Sequence, residues 1–369
     1  MYKRTKSSKK LLFINIIAIA LLLVTTACSS GATTSPSSTP PSGQASPQTL
    51  RVMTHDSFAI SEGVLAAFQE QYNAHVEFIK SGDAGTALNK AILSKDNPLA
   101  DVFYGVDNTF LSRALEEGIY VPYDSPLLAI IPAEFKLDPQ NRALPVDYGD
   151  VCLNYDKAYF EDHDLQPPQS LSDLLDPSYK GLLVVENPAT SSPGLAFLLT
   201  TIANFGQDGY LDYWKSLIAN DVEVVNDWET AYYTEFSGSS GAGPRPLVVS
   251  YDSSPAFEVI YAETPTDTPP TAAIVTDNTC FRQIEFVGIL KGAQNPALAE
   301  KWVDFMLSTT FQEDMPLQMF VFPVNPDAKL AEAFTKHLKL PQKTAFVSPE
   351  DIAAHREQWL KDWTDTVLR

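Results

Sequence analysis

Three short polar clusters stand where apolar strands are expected to end. They are His55-Asp56-Ser57 after TLRVMT, Ser81-Gly82-Asp83 after HVEFIK, and Asp107-Asn108 after ADVFYGV. In open α/β sheets ligands sit outside the carboxyl ends of strands, so these side chains are candidates for binding. Carboxylates, hydroxyls and an imidazole placed there can attract positive charge and accept hydrogen bonds. Nothing in the chain assembles them into a catalytic or metal-binding set. The five His residues show no HxxxH or HExxH spacing, and P-loop, GxGxxG and GxSxG patterns are absent from the sequence. No metal and no cofactor is therefore expected. Cys152 and Cys280 are 128 residues apart. Outside the cytoplasm such a pair is more often a disulfide than a catalytic or metal-binding set, and a bridge here would tie two distant segments.

The elements that must position these groups alternate. The periodicity predicts strands over 49–55, 75–80 and 100–106. Between and after them come helices with apolar residues at Val64, Leu65, Phe68 and Tyr72, over ALNKAIL (87–93), and over 108–118 with Gly118 as the stop. Strands alternating with helices imply parallel pairing. A second β/α series follows: GLLVVEN, a helix from Pro193, VEVVN, a helix from Trp228 and RPLVVSYD. Two longer strands, ALPVDYGDVCLNYDK (143–157) and FRQIEFVGIL (281–290), are long enough to cross between two lobes. A helix is expected over 296–307. The last helix opens with SPED, Ser348 as its cap, and buries Ile352, Trp359, Leu360, Trp363 and Val367. The insertion 236–246 reads as a flexible surface loop.

The amino terminus is a targeting segment. Five basic residues in the first ten precede a 14-residue uncharged apolar run, and TTAC ends at Cys28. That is a signal peptide over 1–27, with an apolar run too short to span a bilayer, which takes about 20 residues. Ala27-Cys28 resembles the lipobox of bacterial lipoproteins, with Thr25 in the usual Leu position, so Cys28 is the expected site of lipidation. The Ser/Thr/Pro/Gly stretch over 28–48 cannot bury a core and reads as a tether. The expected protein is a soluble domain outside the cytoplasm, anchored to a membrane by lipid. Removing residues 1–27 leaves 21 basic against 46 acidic residues, a formal charge near −25. Such a surface repels nucleic acid and attracts cations.

Taken together, the segments resemble the thiamine-binding proteins of bacterial ABC importers over nearly all of 50–369. The resemblance is carried by DSFA (56–59), ADVFYGVDN (100–108), PVDYG (145–149), PPQSL (167–171), NPATSSPGL (187–195), WETAY (228–232), SYDSSPAF (250–257), FVFPVN (320–325) and PEDIAAHREQW (349–359). It implies a bilobal α/β clamshell like that of periplasmic binding proteins, two α/β lobes joined by two crossing strands. Lobe 1 would comprise 49–145 and 285–369, and lobe 2 would comprise 146–284. The ligand would lie in the cleft between them.

The family's site implies roles position by position. Asp83 would face the cationic vitamin and also cap the helix that follows. Ser191, with Ser192, would meet a phosphate end at a helix start. Trp228 and Tyr251 would stack on a cationic heterocycle, and Asp252 adds an acid beside Tyr251. Asp147 and Tyr148 lie on the crossing strand. His55 stands where the family has Tyr, Phe257 where it has Tyr, and Phe320 where it has Trp, giving a smaller and less polar aromatic cage. Asp56 and Ser57 complete the candidate ligand set.

The expected function is thus an extracytoplasmic receptor that captures thiamine or a thiamine phosphate and passes it to an ABC permease, working as a monomer and without catalysis. The alternatives are a receptor for a polyamine, a ferric ion or a phosphorylated compound, and a thiamine-cleaving enzyme of similar fold using Cys152 as nucleophile. Ferric receptors of this fold usually show adjacent tyrosines. Tyr232-Tyr233 is such a pair, but in a helix one member should face the core.

Overall fold

The computed structural model describes residues 46–238 and 243–369. The signal peptide, Cys28, most of the tether and the centre of the 236–246 insertion lie outside the described residues. Among the described residues no helix is long and apolar enough to cross a membrane.

Eleven strands share one hydrogen-bonded sheet. They are β1 (Gln48–Thr54), β2 (Ala74–Lys80), β3 (Val102–Asp107), β4 (Tyr120–Val121), β5 (Leu144–Asp156), β6 (Leu183–Glu186), β7 (Glu223–Val225), β8 (Leu247–Tyr251), β9 (Thr271–Ile274), β10 (Phe281–Leu290) and β11 (Phe322–Pro323). The main order is β2-β1-β3-β10-β5-β8-β6-β7. One wing, β2-β1-β3, is parallel, and the far wing, β8-β6-β7, is parallel as well. Between them β10 and β5 run antiparallel to each other and to the strands they meet. This is a bilobal α/β clamshell with two crossing strands.

Local sequence explains the parts. All six residues of β3 are buried, as expected of a strand covered on both faces. The helix Glu62–Tyr72 starts at Ser61, whose hydroxyl accepts from the Val64 amide at 3.4 Å, and stops at Asn73 with φ 45°. The helix Ser192–Ala219 begins with Pro193 in its first turn and breaks at Gly206, whose φ of 73° suits glycine. The last helix, Pro349–Val367, is capped by Ser348, which accepts from the Asp351 amide at 3.0 Å. It buries Ile352, Trp359, Leu360 and Trp363 as the pattern predicts, and Arg356 besides, while Val367 is half-buried. The helix expected from Trp228 is shorter and irregular. Trp228–Thr230 is helical, and Ala231–Glu235 widens into a π turn. The 236–246 insertion is tied at its ends: Phe236 is buried and bridges Arg245, whose guanidinium donates to the Asp221 carbonyl at 3.0 Å.

The crossing region is cross-linked in several ways. Cys152 on β5 is bonded to Cys280 at the head of β10, both buried, which leaves no thiol at Cys152. Two register steps away, Arg282 holds the Asp150 carboxylate through Nε at 2.6 Å and Nη2 at 2.8 Å. The same guanidinium lies 4.7 Å from the centre of the Tyr148 ring. Tyr148 in turn stacks on Phe135 at 4.8 Å and Phe322 at 5.3 Å. Phe135 comes from the Pro-rich 124–142 segment, which folds into two short 3-10 turns against this belt.

Cutting the bridge with Cys152→Ser/Cys280→Ser is expected to lower stability by roughly 2–4 kcal/mol, the usual effect of a cross-link closing a long loop. Urea unfolding followed by tryptophan fluorescence reads this. An unchanged midpoint would mean that β5–β10 pairing alone holds the segment.

Candidate functional site

The ends of seven segments converge on a cleft between the wings that encloses about 870 Å³, part of it open to solvent. The turn after β1 supplies His55 and Ser57. Asp83 and Ala84 begin the helix Ala84–Leu93. Ser192 and Pro193 begin the helix Ser192–Ala219. Trp228, Glu229, Tyr232 and Tyr233 come from the irregular turn, and Tyr251, Ser253, Ser254 and Phe257 from the end of β8 and the helix after it. Gln283 and Glu285 rise from β10, and residues 318–321 close one side.

One wall is aromatic. Trp228 stacks on Tyr232 at 5.0 Å and meets Tyr233 edge-on at 5.4 Å and Tyr251 at 6.4 Å. Phe257 meets Phe320 edge-on at 4.9 Å. Phe320 itself sits at φ 55°, an unusual conformation for its type, and its carbonyl accepts from the Ser253 hydroxyl. Trp228 is fixed at both ends. Its indole Nε1 donates to Ser250 at 2.9 Å, and its backbone amide donates to Asp83 Oδ2 at 3.0 Å.

Asp83 therefore does two things at once. Its Oδ1 caps its own helix at the Ala84 amide, 2.7 Å away, and its Oδ2 reaches across the cleft to Trp228. Burial raises its pKa to about 6, against the Ser191 hydroxyl and the two amides, which favour the charged form. Because the carboxylate lines a cleft that solvent enters, the residue itself is only half-buried. Next to it the two wings touch: the Gly85 and Thr86 amides both donate to the Thr190 carbonyl, at 3.0 and 3.3 Å. A Cβ on Gly85 would lie 2.7 Å from the Ala189 carbonyl oxygen.

The cleft floor is acidic. In register across β3, β10 and β5 stand Asp107, Glu285 and Asp147. Tyr104 Oη is 2.7 Å from Asp147 and 3.1 Å from Glu285. Burial pushes the pKa of Asp107 and of Asp147 up to about 6 and that of Glu285 well above its usual range. His55 Nε2 is 3.4 Å from Glu285 Oε1, but burial lowers the imidazole to about 4, so this is a contact of a neutral ring and not an ion pair. Among the lining residues three carry carboxylates, Asp83, Glu229 and Glu285, and none is Lys or Arg.

Of the residues singled out in the sequence, His55, Ser57, Asp83, Ser192, Trp228, Tyr251 and Phe320 line the cleft. Four are placed elsewhere. Asp56 turns its carboxylate to the Gly82 amide, 2.8 Å away, joining two strand ends. Asp147 lies under the floor with Tyr104. Ser191 is fully buried, its hydroxyl beside Asp83, because it is the cap position of a helix packed against that acid. Asp252 follows Tyr251 and so points the other way, into a second cavity with Lys157, Thr271 and residues 336–339. Burial raises its pKa to about 8. Glu285, Gln283, Glu229 and Met319 also line the cleft and were not among the residues singled out in the sequence. Glu285 carried a signal, an acid inside the apolar strand FRQIEFVGIL. Tyr232 is the buried member of its pair and Tyr233 the half-buried one, and both reach the cleft.

The family model for the bacterial extracellular solute-binding protein matches residues 97–355. The chain belongs to that family. The thiamine-binding periplasmic protein of Salmonella typhimurium is 31% identical over 325 residues, 87% of this chain and 94% of that protein. The one from Brucella suis is 30% identical over 337 residues, covering 89% and 95%. A solved periplasmic thiamin binding protein superposes with a TM-score of 0.75 at 28% identity, over 90% of this chain and all of that one. As in the family at large, this solute-binding chain is built for life outside the cytoplasm.

Two outcomes are expected of this geometry. Gly85→Ala puts its Cβ 2.7 Å from the Ala189 carbonyl oxygen and 2.9 Å from the buried Phe110 ring, so denaturant stability is expected to fall by about 1–3 kcal/mol. The close approach to Thr190 is lost, and the Thr86 amide exchanges roughly tenfold faster by hydrogen exchange. Equal exchange would show that the wings touch through other groups. The raised acids set the pH dependence. A carboxyl whose folded pKa lies above its unfolded value holds extra protons when folded, so its stabilisation is present at acid pH and is lost as pH rises through the folded value. With Asp107 and Asp147 at about 6 and Asp252 at about 8, the ligand-free melting temperature is expected to fall from mildly acid to mildly alkaline pH. Asp252→Asn is expected to flatten the alkaline part of that fall, and an unaltered profile in a melting series excludes Asp252 as its source.

Proposed function

We propose that this protein is the extracytoplasmic solute receptor of an ABC importer, and that it binds thiamine in the cleft and delivers it to the permease. The observation that carries this reading is the lining itself: three carboxylates and an aromatic wall, with no Lys or Arg among the lining residues. A heterocyclic cation gains from both, through charge and through stacking on Trp228 and Tyr251. The names of the relatives agree. The phosphate forms are less well served. At the helix start the Ser191 and Ser192 hydroxyls sit beside Asp83 and Asp107, so the chain's own carboxylates already occupy the anion-favouring end.

A second reading, a polyamine, is favoured by the number of acids. Asp83, Glu229 and Glu285 in one cleft could each meet an ammonium group. A thiamine-cleaving reaction finds no nucleophile in Cys152, which is bonded to Cys280. For a ferric ion, no cluster of His, Cys, Asp and Glu suited to a metal occurs among the described residues. The reading needs no catalysis. It takes 49–145 with 285–369 as lobe 1, 146–284 as lobe 2, Cys28 as the lipid anchor that keeps a monomer near its permease, and the mature chain as periplasmic or at the cell surface.

Calorimetry with thiamine, its mono- and pyrophosphate and spermidine tests this. Saturable one-to-one binding, tightest for unphosphorylated thiamine, is the expected result. Asp83→Asn keeps a good helix cap while removing the charge, and is expected to weaken binding roughly 30-fold, about 2 kcal/mol. Trp228→Ala is expected to cost roughly tenfold. Binding of spermidine alone would favour the polyamine, and no heat with any thiamine form would sink the vitamin.

A further inference from the structure

Glu285 carries a signature that the charge-and-stacking account leaves unused. It is the member of the Asp107–Glu285–Asp147 row that lines the cleft, while its two neighbours lie beneath the surface. Tyr104 Oη stands within hydrogen-bond distance of both Asp147 Oδ2 and Glu285 Oε2. A phenol has one hydrogen to donate. If it donates to Asp147, the shorter contact, then the Glu285 contact needs a hydrogen from the carboxyl side. Otherwise two oxygens bearing lone pairs face each other in a buried site.

We propose that Glu285 reads positive charge by proton exchange: with Tyr104 and Asp147 it holds one proton under the cleft, and a cationic ligand takes the place of that proton. The exchange is a simple balance, in which the Glu285 carboxyl gives its proton to solvent and the carboxylate left behind faces the cation. This rests on the reading that the solute is a cation.

The surroundings support it. From β3 Glu285 meets Tyr104 and the Asp107 carboxylate, and from β5 it meets Asp147. From the turn after β1 comes the neutral His55, and Tyr251 stands near on β8. Not one of these groups brings a positive charge to Glu285. Desolvation and the two neighbouring acids push the Glu285 carboxyl toward its neutral form, in the same direction as the geometry. A pair so tightly linked titrates as a unit, so the proton belongs to Glu285 and Asp147 together. A neutral solute could not release it, which makes the row a filter for charge as well as a source of attraction.

The test has one arm without ligand and one with it. In the purified protein with carboxyl-13C glutamate, the Glu285 resonance, assigned by its absence from Glu285→Gln, is expected at the neutral-carboxyl position near neutral pH and at the ionised position once thiamine is bound. Calorimetry with thiamine in two buffers of different ionisation enthalpy is expected to show roughly one proton released per ligand. Affinity is then expected to rise up to about tenfold per pH unit. In Glu285→Gln the release measured at about pH 7.5, above the range in which Asp83 at about 6 contributes, is expected to fall by roughly one proton, and the pH dependence above neutral flattens. An ionised Glu285 in the free protein overturns the stored proton, and where Glu285→Gln does not fold, Glu285→Asp supplies the same assignment. Thiamine binding with equal heats in both buffers, including transfer to His55, overturns the exchange and leaves the receptor reading intact. If thiamine does not bind, the vitamin reading falls and spermidine is the probe. Release with spermidine then supports the exchange. Spermidine binding without release, or no binding of either cation, overturns it.

Discussion

The antiparallel pairing of β5 with β10 is the constraint on which the rest of the molecule depends. Among the described residues, these two strands join the two parallel wings in the main path of the sheet. Their register sets three things at once. It brings Cys152 and Cys280 together, places Arg282 on Asp150, and lines up Asp147, Glu285 and Asp107 under the cleft. A slip of one residue would turn Glu285 away from the cavity and an apolar neighbour toward it, since side chains alternate along a strand. The cross-links near the head of β10 therefore protect the geometry of the floor.

The cleft is assembled against an electrostatic cost. Several carboxyls are buried with few or no cations nearby, and desolvation raises the pKa of Asp83, Asp107, Glu285 and, in the wall behind Asp83, Glu186. Such groups destabilise an empty protein when they are ionised. On the proposed reading a bound cation would offset that cost, so the arrangement that strains the free chain would favour the complex. Hydrogen bonds moderate it. Asp83 has two amides, and Asp107 Oδ1 accepts from the Thr109 and Phe110 amides and the Thr109 hydroxyl. Glu285 has the Tyr104 contact as its hydrogen-bond partner.

The hydrogen bonds across the cleft are few. Asp83 to Trp228, Gly85 and Thr86 to Thr190, and Ser57 to Glu229 at 3.4 Å join the wings at the cleft mouth, while buried aromatic pairs, Phe257 with Phe320 and Trp214 with Trp363, join the two sides behind it. Hydrogen bonds of this kind contribute about 1 kcal/mol each and re-form with water when broken. That suits a clamshell whose wings must part and meet. The aromatic residues do the opposite work: Trp228, Tyr232 and Tyr233 pack within their own wing and hold a stiff wall.

How much of this was legible depended on range. Local pattern sufficed for what is local: alternation and apolar runs place the strands, the β10 bounds and the helix Pro296–Leu307 fall where periodicity puts them, and Ser348 caps as its spacing suggests. The strand-end clusters pointed to His55, Ser57 and Asp83, and these three line the cleft. What the chain alone could not decide was which way a side chain faces once strands far apart in sequence pair. Asp252 and Tyr251 are adjacent, yet one lines the cleft and the other a separate cavity. Asp147 looked like a site residue and became a support, whereas Glu285, inside an apolar strand, became the floor. Orientation and desolvation are set by neighbours that only the tertiary structure supplies, because burial and pKa belong to the surroundings of a residue and not to its type.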